Sequence, residues 1–214
     1  MTQNTFVVGD SHSIFYYNSL KFKHHWTEWA RLPVTLYELI QQEKTIPLYN
    51  IVERYQPGEV CQINIKDGDI VMFCYGWNDI QKNINKYGKN NYEQLIDLLV
   101  EHYVKFIKNL PYKIYPIINC IYPISSCMEN QSNIFGDYET RIKYTLYMNK
   151  RLKELCQANK IPFFDIYDKL SNNGMLNKKF ADNNGEGDHL DRFNHELRES
   201  IEMDLSNLIH KFYN

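Results

Sequence analysis

Three short blocks carry residue types able to attack and release an acyl group. Gly9-Asp10-Ser11-His12-Ser13 places a serine hydroxyl just past a glycine. Tyr75-Gly76-Trp77-Asn78-Asp79 offers a side-chain amide. Gly185-Glu186-Gly187-Asp188-His189-Leu190 sets a histidine among acids and glycines. A serine hydroxyl is protonated at neutral pH and needs a base, and His189 is the best-placed candidate by its loop context. Glu186, three residues earlier, can hold the imidazole in the tautomer that accepts a proton at its other nitrogen. The Asn78 amide can donate to a developing oxyanion. Each block also has a purely structural reading. Ser and Asp are favoured helix N-caps, Asn78-Asp79 suits an Asx turn, and acids around a histidine suit a solvated loop.

The surrounding elements decide whether these blocks can meet. Residues 6–8, 46–52, 69–74, 113–118 and 162–166 read as short strands, with Pro47 marking the second as an edge or a start. Helical spacing runs through residues 92–110 (Tyr92, Leu95, Ile96, Leu99, Tyr103, Phe106, Ile107, Leu110). Similar stripes run through 140–159 (Ile142, Leu146, Leu152, Cys156) and 192–212 (Leu197, Ile201, Leu205, Leu208, Phe212). These stripes read as core packing. Short strands alternating with helices predict an α/β fold with a parallel sheet covered on both faces. Ligands bind outside the carboxyl ends of such strands. Ser11, Asn78 and His189 all fall at that edge or on a loop able to reach it. A histidine able to serve a serine, with an oxyanion donor at the same edge, outweighs three separate caps.

At these residues the chain resembles the SGNH hydrolases, also called GDSL-type esterases, and in particular their glycan-associated branch. The first block of that family is matched by Gly9-Asp10-Ser11-His12-Ser13, with His12 where many members carry leucine. The third, G-x-N-D, is matched by Gly76-Trp77-Asn78-Asp79, and the last, D-x-x-H, by Glu186-Gly187-Asp188-His189. The resemblance implies a three-layer flavodoxin-like fold and a metal-independent serine esterase mechanism without cofactor. It assigns Ser11 as nucleophile, His189 as base and then acid, and Ser11 N–H and Asn78 as oxyanion donors. Glu186 stands where the family usually carries Asp, and Asp188, adjacent to His189, is expected to be a poor partner for it. The family's second block supplies a glycine N–H as a third donor. No glycine occurs between Gly9 and Gly58, and the segment Arg31-Leu32-Pro33-Val34-Thr35 takes that place, with Leu32 at the glycine position.

Composition bounds the partners. The chain has 214 residues, suggesting one domain over 1–214. Lys plus Arg is 24 against 26 for Asp plus Glu, so no basic excess argues for nucleic acid. The longest apolar runs fall far short of the roughly 20 residues that cross a bilayer, and no leader pattern opens the chain. Five cysteines without a C-x-x-C pair (Cys61, Cys74, Cys120, Cys127, Cys156) read as reduced thiols in a cytoplasmic setting. His24-His25-Trp26 gives no metal site, because adjacent histidines point apart and no carboxylate is spaced for one. The expected activity is hydrolysis of a small acyl ester, acetyl most simply, on a small-molecule or glycan alcohol. His12, Gly76 and Trp77 are the expected substrate contacts, with Trp77 and Tyr75 able to stack on a sugar. The alternatives are acyl transfer to a sugar hydroxyl and a non-catalytic sugar-binding module.

Overall fold

The computed structural model describes residues 4–16, 19, 21, 23–26, 35–41, 51–56, 59–63, 65–88, 90–110, 113–125 and 136–213. The strands are β1 (Thr5–Gly9), β2 (Lys23–Trp26), β3 (Ile51–Gln56), β4 (Glu59–Ile63), β5 (Ile70–Cys74), β6 (Tyr115–Asn119), β7 (Phe163–Phe164), β8 (Ser171–Asn172) and β9 (Met175–Leu176). The helices are α1 (Leu36–Gln41), α2 (Ile84–Tyr87), α3 (Tyr92–Lys108), α4 (Tyr138–Ala158), α5 (Tyr167–Leu170), the short turn α6 (Asp182–Gly185) and α7 (His195–Tyr213). Their arrangement is the expected three-layer α/β fold.

Five strands form one sheet in the order β2-β1-β5-β6-β7, every neighbouring pair parallel. The chain leaves β1 to one side to make β2, then returns to the other side to make β5. That reversal is a topological switch point, and it opens a crevice at the carboxyl ends of β1 and β5. The register sets Gly9 opposite Cys74, so the segments carrying Ser11 and Asn78 leave from adjacent strand ends. All five residues of β5, Ile70-Val71-Met72-Phe73-Cys74, are buried. A strand covered on both faces must read as a continuous apolar run, as this one does. Burying each large side chain contributes about 1.5–3 kcal/mol.

Two expectations need correction. The second strand of the sheet is β2, not residues 46–52. Residues 42–50 lie outside the described residues, while Ile51 and Val52 belong to β3, which pairs antiparallel with β4 in a separate hairpin. β2 reads Lys-His-His-Trp and sits at the sheet edge, so it lacks the apolar run that marks a central strand.

The buried face of α4 is also rotated from the apolar stripe. Leu146 is exposed, and the buried side is Arg141, Tyr144, Thr145, Met148, Asn149, Leu152 and Cys156. Polar groups sit on that face because they are hydrogen-bonded, which removes most of the cost of burial. Arg141 Nη1 donates to Gln81 Oε1 (2.7 Å), and Asn149 exchanges two bonds with the Ile121 backbone (2.7 and 2.8 Å). The second pairing anchors the segment just past β6. α3 follows its predicted stripe, burying Ile96, Leu99, Val100, Tyr103, Val104 and Ile107.

Candidate active site

Ser11 is the first residue of a 3₁₀ turn, Ser11–Tyr16, that begins two residues past β1. Asp10 organises that turn. Its N–H donates to Cys74 O across the strand ends (3.0 Å), its carboxylate accepts from His12 N–H (3.0 Å), and its carbonyl accepts from Ser13 N–H and Oγ (3.0 and 2.7 Å). The local capping work therefore falls to Asp10. Ser11 is half-buried, and its hydroxyl makes no hydrogen bond among the described residues.

The β5 end is turned by Gly76, whose φ of +113° disfavours any L side chain. A Cβ there would also lie 2.5 Å from the Ile121 Cδ1 methyl. Gly76 is thus required by the backbone at this turn. Asn78 follows at the head of a helical segment, in the αR region, and its side chain makes no capping hydrogen bond. Ile80 N–H is satisfied by Gly76 O instead (3.1 Å). The amide of Asn78 is thus not consumed by a turn. The next residue, Asp79, is fully buried and reaches 43 positions back to the first turn of α1. Its carboxylate accepts from Leu36 N–H (2.7 Å), Tyr37 N–H (3.0 Å) and Asn83 Nδ2 (3.0 Å). Leu32, the proposed third oxyanion donor, lies outside the described residues.

The His189 loop is folded back on itself by Asp182. Asp182 N–H donates to His189 O (2.9 Å), Gly187 N–H donates to Asp182 O (2.9 Å), and His189 N–H donates to Asp182 Oδ1 (3.3 Å). A Cβ on Gly187 would collide with the Asp182 carboxylate, so this closeness depends on glycine. Ser125 Oγ donates to Gly187 O (2.6 Å), tying the loop to the segment past β6.

Within this loop the partner of His189 is Asp188, whose Oδ1 lies 2.7 Å from Nδ1; Asp182 Oδ2 is at 3.9 Å. Glu186 is exposed and makes no bond to His189. The expectation that Glu186 holds the imidazole and that Asp188 is badly placed is therefore corrected. Adjacent side chains diverge in a regular helix or strand, but Asp188 and His189 lie in an irregular bend where that constraint does not hold. Burial alone pushes the His189 pKa down. The bond to Asp188 and the negative charges of Asp188, Asp182 and Asp10 outweigh it, leaving the pKa above the usual histidine range. For Asp188, burial acts upward but the His189 bond prevails and holds its carboxyl below the ordinary range. Both shifts say that the pair favours its ionic form. Among the described residues, Asp182, Asp188 and His189 are also the one grouping with metal-ligand spacing, their donor atoms lying within 4.8 Å of one another. The 2.7 Å Asp188–His189 bond matches an acid–base pair at that place.

The turns also bring aromatic rings together. His12 lies 4.0 Å from Trp77 and 4.6 Å from His189, centroid to centroid, the latter nearly parallel at 26°. His12 and Trp77 are buried, as is Tyr75. Trp77 and Tyr75 cannot offer a face to a sugar, and His12 is not an exposed substrate contact; their rings are spent on each other and on the core. Ser11 and His189 are not hydrogen-bonded in this structure. Catalytic bonds are often long without substrate and tighten only when it binds. Sequence reasoning missed Asp182 and the partnership of Asp188. The available signal was the density of acids and glycines in Asp182-Asn-Asn-Gly-Glu-Gly-Asp-His.

Comparison with known proteins agrees with this fold. The chain aligns over 98% of its length with a GDSL-like lipase from Bacteroides thetaiotaomicron, covering 88% of that chain at 17% identity and a TM-score of 0.56. It aligns over 99% of its length with an aryl esterase from M. smegmatis, covering all of that chain at 12% identity and a TM-score of 0.54. A member of the lipolytic protein G-D-S-L family from Veillonella parvula matches at 11% identity, covering 96% of this chain and 99% of that one, with a TM-score of 0.51. At such identities the likeness is one of fold. No curated protein matches the sequence. The family model for GDSL-like lipases/acylhydrolases matches residues 6–195, a span that takes in all three blocks. With that model matching most of its 214 residues, the chain belongs to the GDSL-like lipase/acylhydrolase family and is an ester-hydrolysing enzyme.

Proposed function

We propose that this enzyme removes small acyl groups, acetyl foremost, from a carbohydrate alcohol. Ser11 is the nucleophile, His189 the base and Asp188 its orienting acid. Nδ1 of His189 is engaged by Asp188, so Nε2 takes the Ser11 proton as Oγ bonds to the ester carbonyl carbon. The carbonyl electrons move onto oxygen, where Ser11 N–H and the Asn78 amide donate to the oxyanion. Collapse breaks the bond to the alcohol, which leaves with the proton from Nε2. Water then attacks the acyl-serine with His189 again as base, releasing the acid and restoring Ser11.

The observation that supports the acyl preference is a small space at the carboxyl ends of β1, β5 and β6. Asp10 and His12, the sequence neighbours of Ser11, line a pocket there with Tyr75, Trp77 and Tyr122 whose volume is about 10 Å³. That is room for one water-sized or methyl-sized group. On the alcohol side, Phe193 supports a ring-shaped partner. It lies four residues past His189 and is 63% exposed, with the Arg192 guanidinium 5.0 Å from its ring centre.

The test uses p-nitrophenyl esters of increasing chain length together with a fluorophosphonate probe. Acetate should be the best substrate, each added methylene costing about tenfold or more in kcat/KM. The probe should label Ser11 stoichiometrically, and Ser11→Ala should abolish both labelling and turnover while remaining folded. Phe193→Ala should raise KM for an acetylated sugar and leave p-nitrophenyl acetate unaffected. Octanoate turning over as well as acetate would remove the small-acyl reading, and an active Ser11→Ala would remove the mechanism.

A further inference from the structure

We infer that His12 is a positioning residue, a neutral aromatic shelf on which the ring of His189 rests and which supports that ring when it becomes imidazolium. This rests on the reading of His189 as the base.

Four observations converge on it. His12 is packed between two rings, Trp77 at 4.0 Å and His189 at 4.6 Å, and the His12–His189 planes differ by only 26°. Tyr122 closes a third side edge-on at 6.0 Å. The ring is buried, and neither Nδ1 nor Nε2 has a hydrogen-bond partner among the described residues. Its backbone is fixed by the bond from its N–H to Asp10.

A histidine used as an acid, a base or a substrate-binding donor would keep at least one nitrogen bonded or open to solvent. Here neither nitrogen has a partner among the described residues, while the ring packs against those of Trp77 and His189. Offset stacks at such separations are attractive, and a cation within about 6 Å of an aromatic centroid gains from the ring's electron density. That second gain appears only when His189 carries the proton, which is the state formed during acyl transfer. The shelf must itself stay uncharged, since two stacked imidazolium rings would repel. Burial first, and then the proximity of His189, push the His12 pKa well below the ordinary histidine range, so the proton goes to His189. Asp188 fixes the edge of His189 through Nδ1, while His12 fixes its face. Two such restraints leave the ring little freedom to turn.

The experiment compares His12→Phe, His12→Ala and His189→Ala with the unmodified enzyme on p-nitrophenyl acetate. Urea midpoints are measured on every variant. Phe keeps an aromatic face and sacrifices no hydrogen bond to the described residues. His12→Phe should retain at least about threefold more kcat than His12→Ala. His12→Ala should lower kcat about five- to thirtyfold with KM little changed, the range expected of a lost cation–ring contact. Rescue by Phe but not by Ala separates a shelf from a residue that only fills space, since both variants are compared after correction for the folded fraction. Equal losses in Phe and Ala would overturn the inference by showing that a ring nitrogen matters, and an unimpaired His12→Ala would overturn it by showing that the face does not. If His189→Ala retains full turnover, the reading of His189 as base fails and the shelf fails with it. If His189→Ala is inactive while His12→Ala is not, only the shelf fails.

Discussion

The identity of the acid beside His189 decides how the base is tuned. Asp188 and not Glu186 lies at 2.7 Å from Nδ1, and with its neighbours it raises the histidine pKa. A protonated His189 cannot accept the Ser11 proton, so kcat/KM should climb with pH through an apparent pKa above about 6.5. Asp188→Asn removes the charge and the preference for the right tautomer. We expect kcat to fall about 10²–10⁴-fold and the residual profile to move to lower pH. Glu186→Gln should leave rate and profile unchanged; a large loss in that variant with an intact Asp188→Asn would restore Glu186 to the triad. The same scale decides Asn78. Its amide caps nothing, so Asn78→Ala should keep its urea midpoint. It should lose about 10²–10³ in kcat at nearly constant KM, because the missing bond matters only once the oxyanion forms. A lowered midpoint with normal kcat would return Asn78 to a structural role.

Among the elements, what was legible in the sequence follows from how completely each is buried. β5 and α3 announced themselves because a strand covered on both faces and a helix with one buried stripe leave a periodic apolar signature. β2 gave none, since an edge strand of four residues can be polar. The rotation of α4 was hidden for a different reason. Its buried side is set by hydrogen bonds between Arg141 and Gln81 and between Asn149 and Ile121, partners that lie 60 and 28 positions away. Ser11, Asn78 and His189 were legible because Gly, Ser, Asn and His cluster at the ends of readable elements. The pairing of Asp188 with His189 was not, because it occurs in an irregular bend whose backbone no residue pattern specifies. The aromatic stack was equally invisible, since His12, Trp77 and His189 come from three separate loops that only the strand order brings together.

The stability of the whole molecule should carry the signature of one carboxyl that links two of these parts. Asp79 holds the first turn of α1 from the segment that begins past β5, and it has no exposure to solvent. Burial raises its pKa to about 6 from 3.8, against the opposing effect of its bonds from Asn83, Leu36 and Tyr37. A carboxyl raised on folding binds its proton more tightly in the native state than in the unfolded one. Below about pH 4 both states are protonated and the group is neutral to stability. Between about pH 4 and 6 the unfolded chain has ionised while the folded chain has not, so stability falls as pH rises. Above pH 6 the full cost of a buried charge is present. His189 adds to the same trend at higher pH, since a raised histidine also loses its contribution as pH climbs through its folded value. Asp79→Asn removes the first titration while leaving the second. Urea unfolding at pH 4 and pH 7 on both proteins isolates it. Between those values the unmodified protein should lose roughly 3 kcal/mol more than Asp79→Asn, the equivalent of about two pKa units. The variant still lacks one acceptor oxygen for the amides of α1, which lowers its stability equally at both pH values and cancels in the difference. Two proteins whose midpoints shift in parallel between pH 4 and 7 would show that Asp79 ionises as freely in the native state as in the unfolded chain, and that its charge on α1 carries no burial cost.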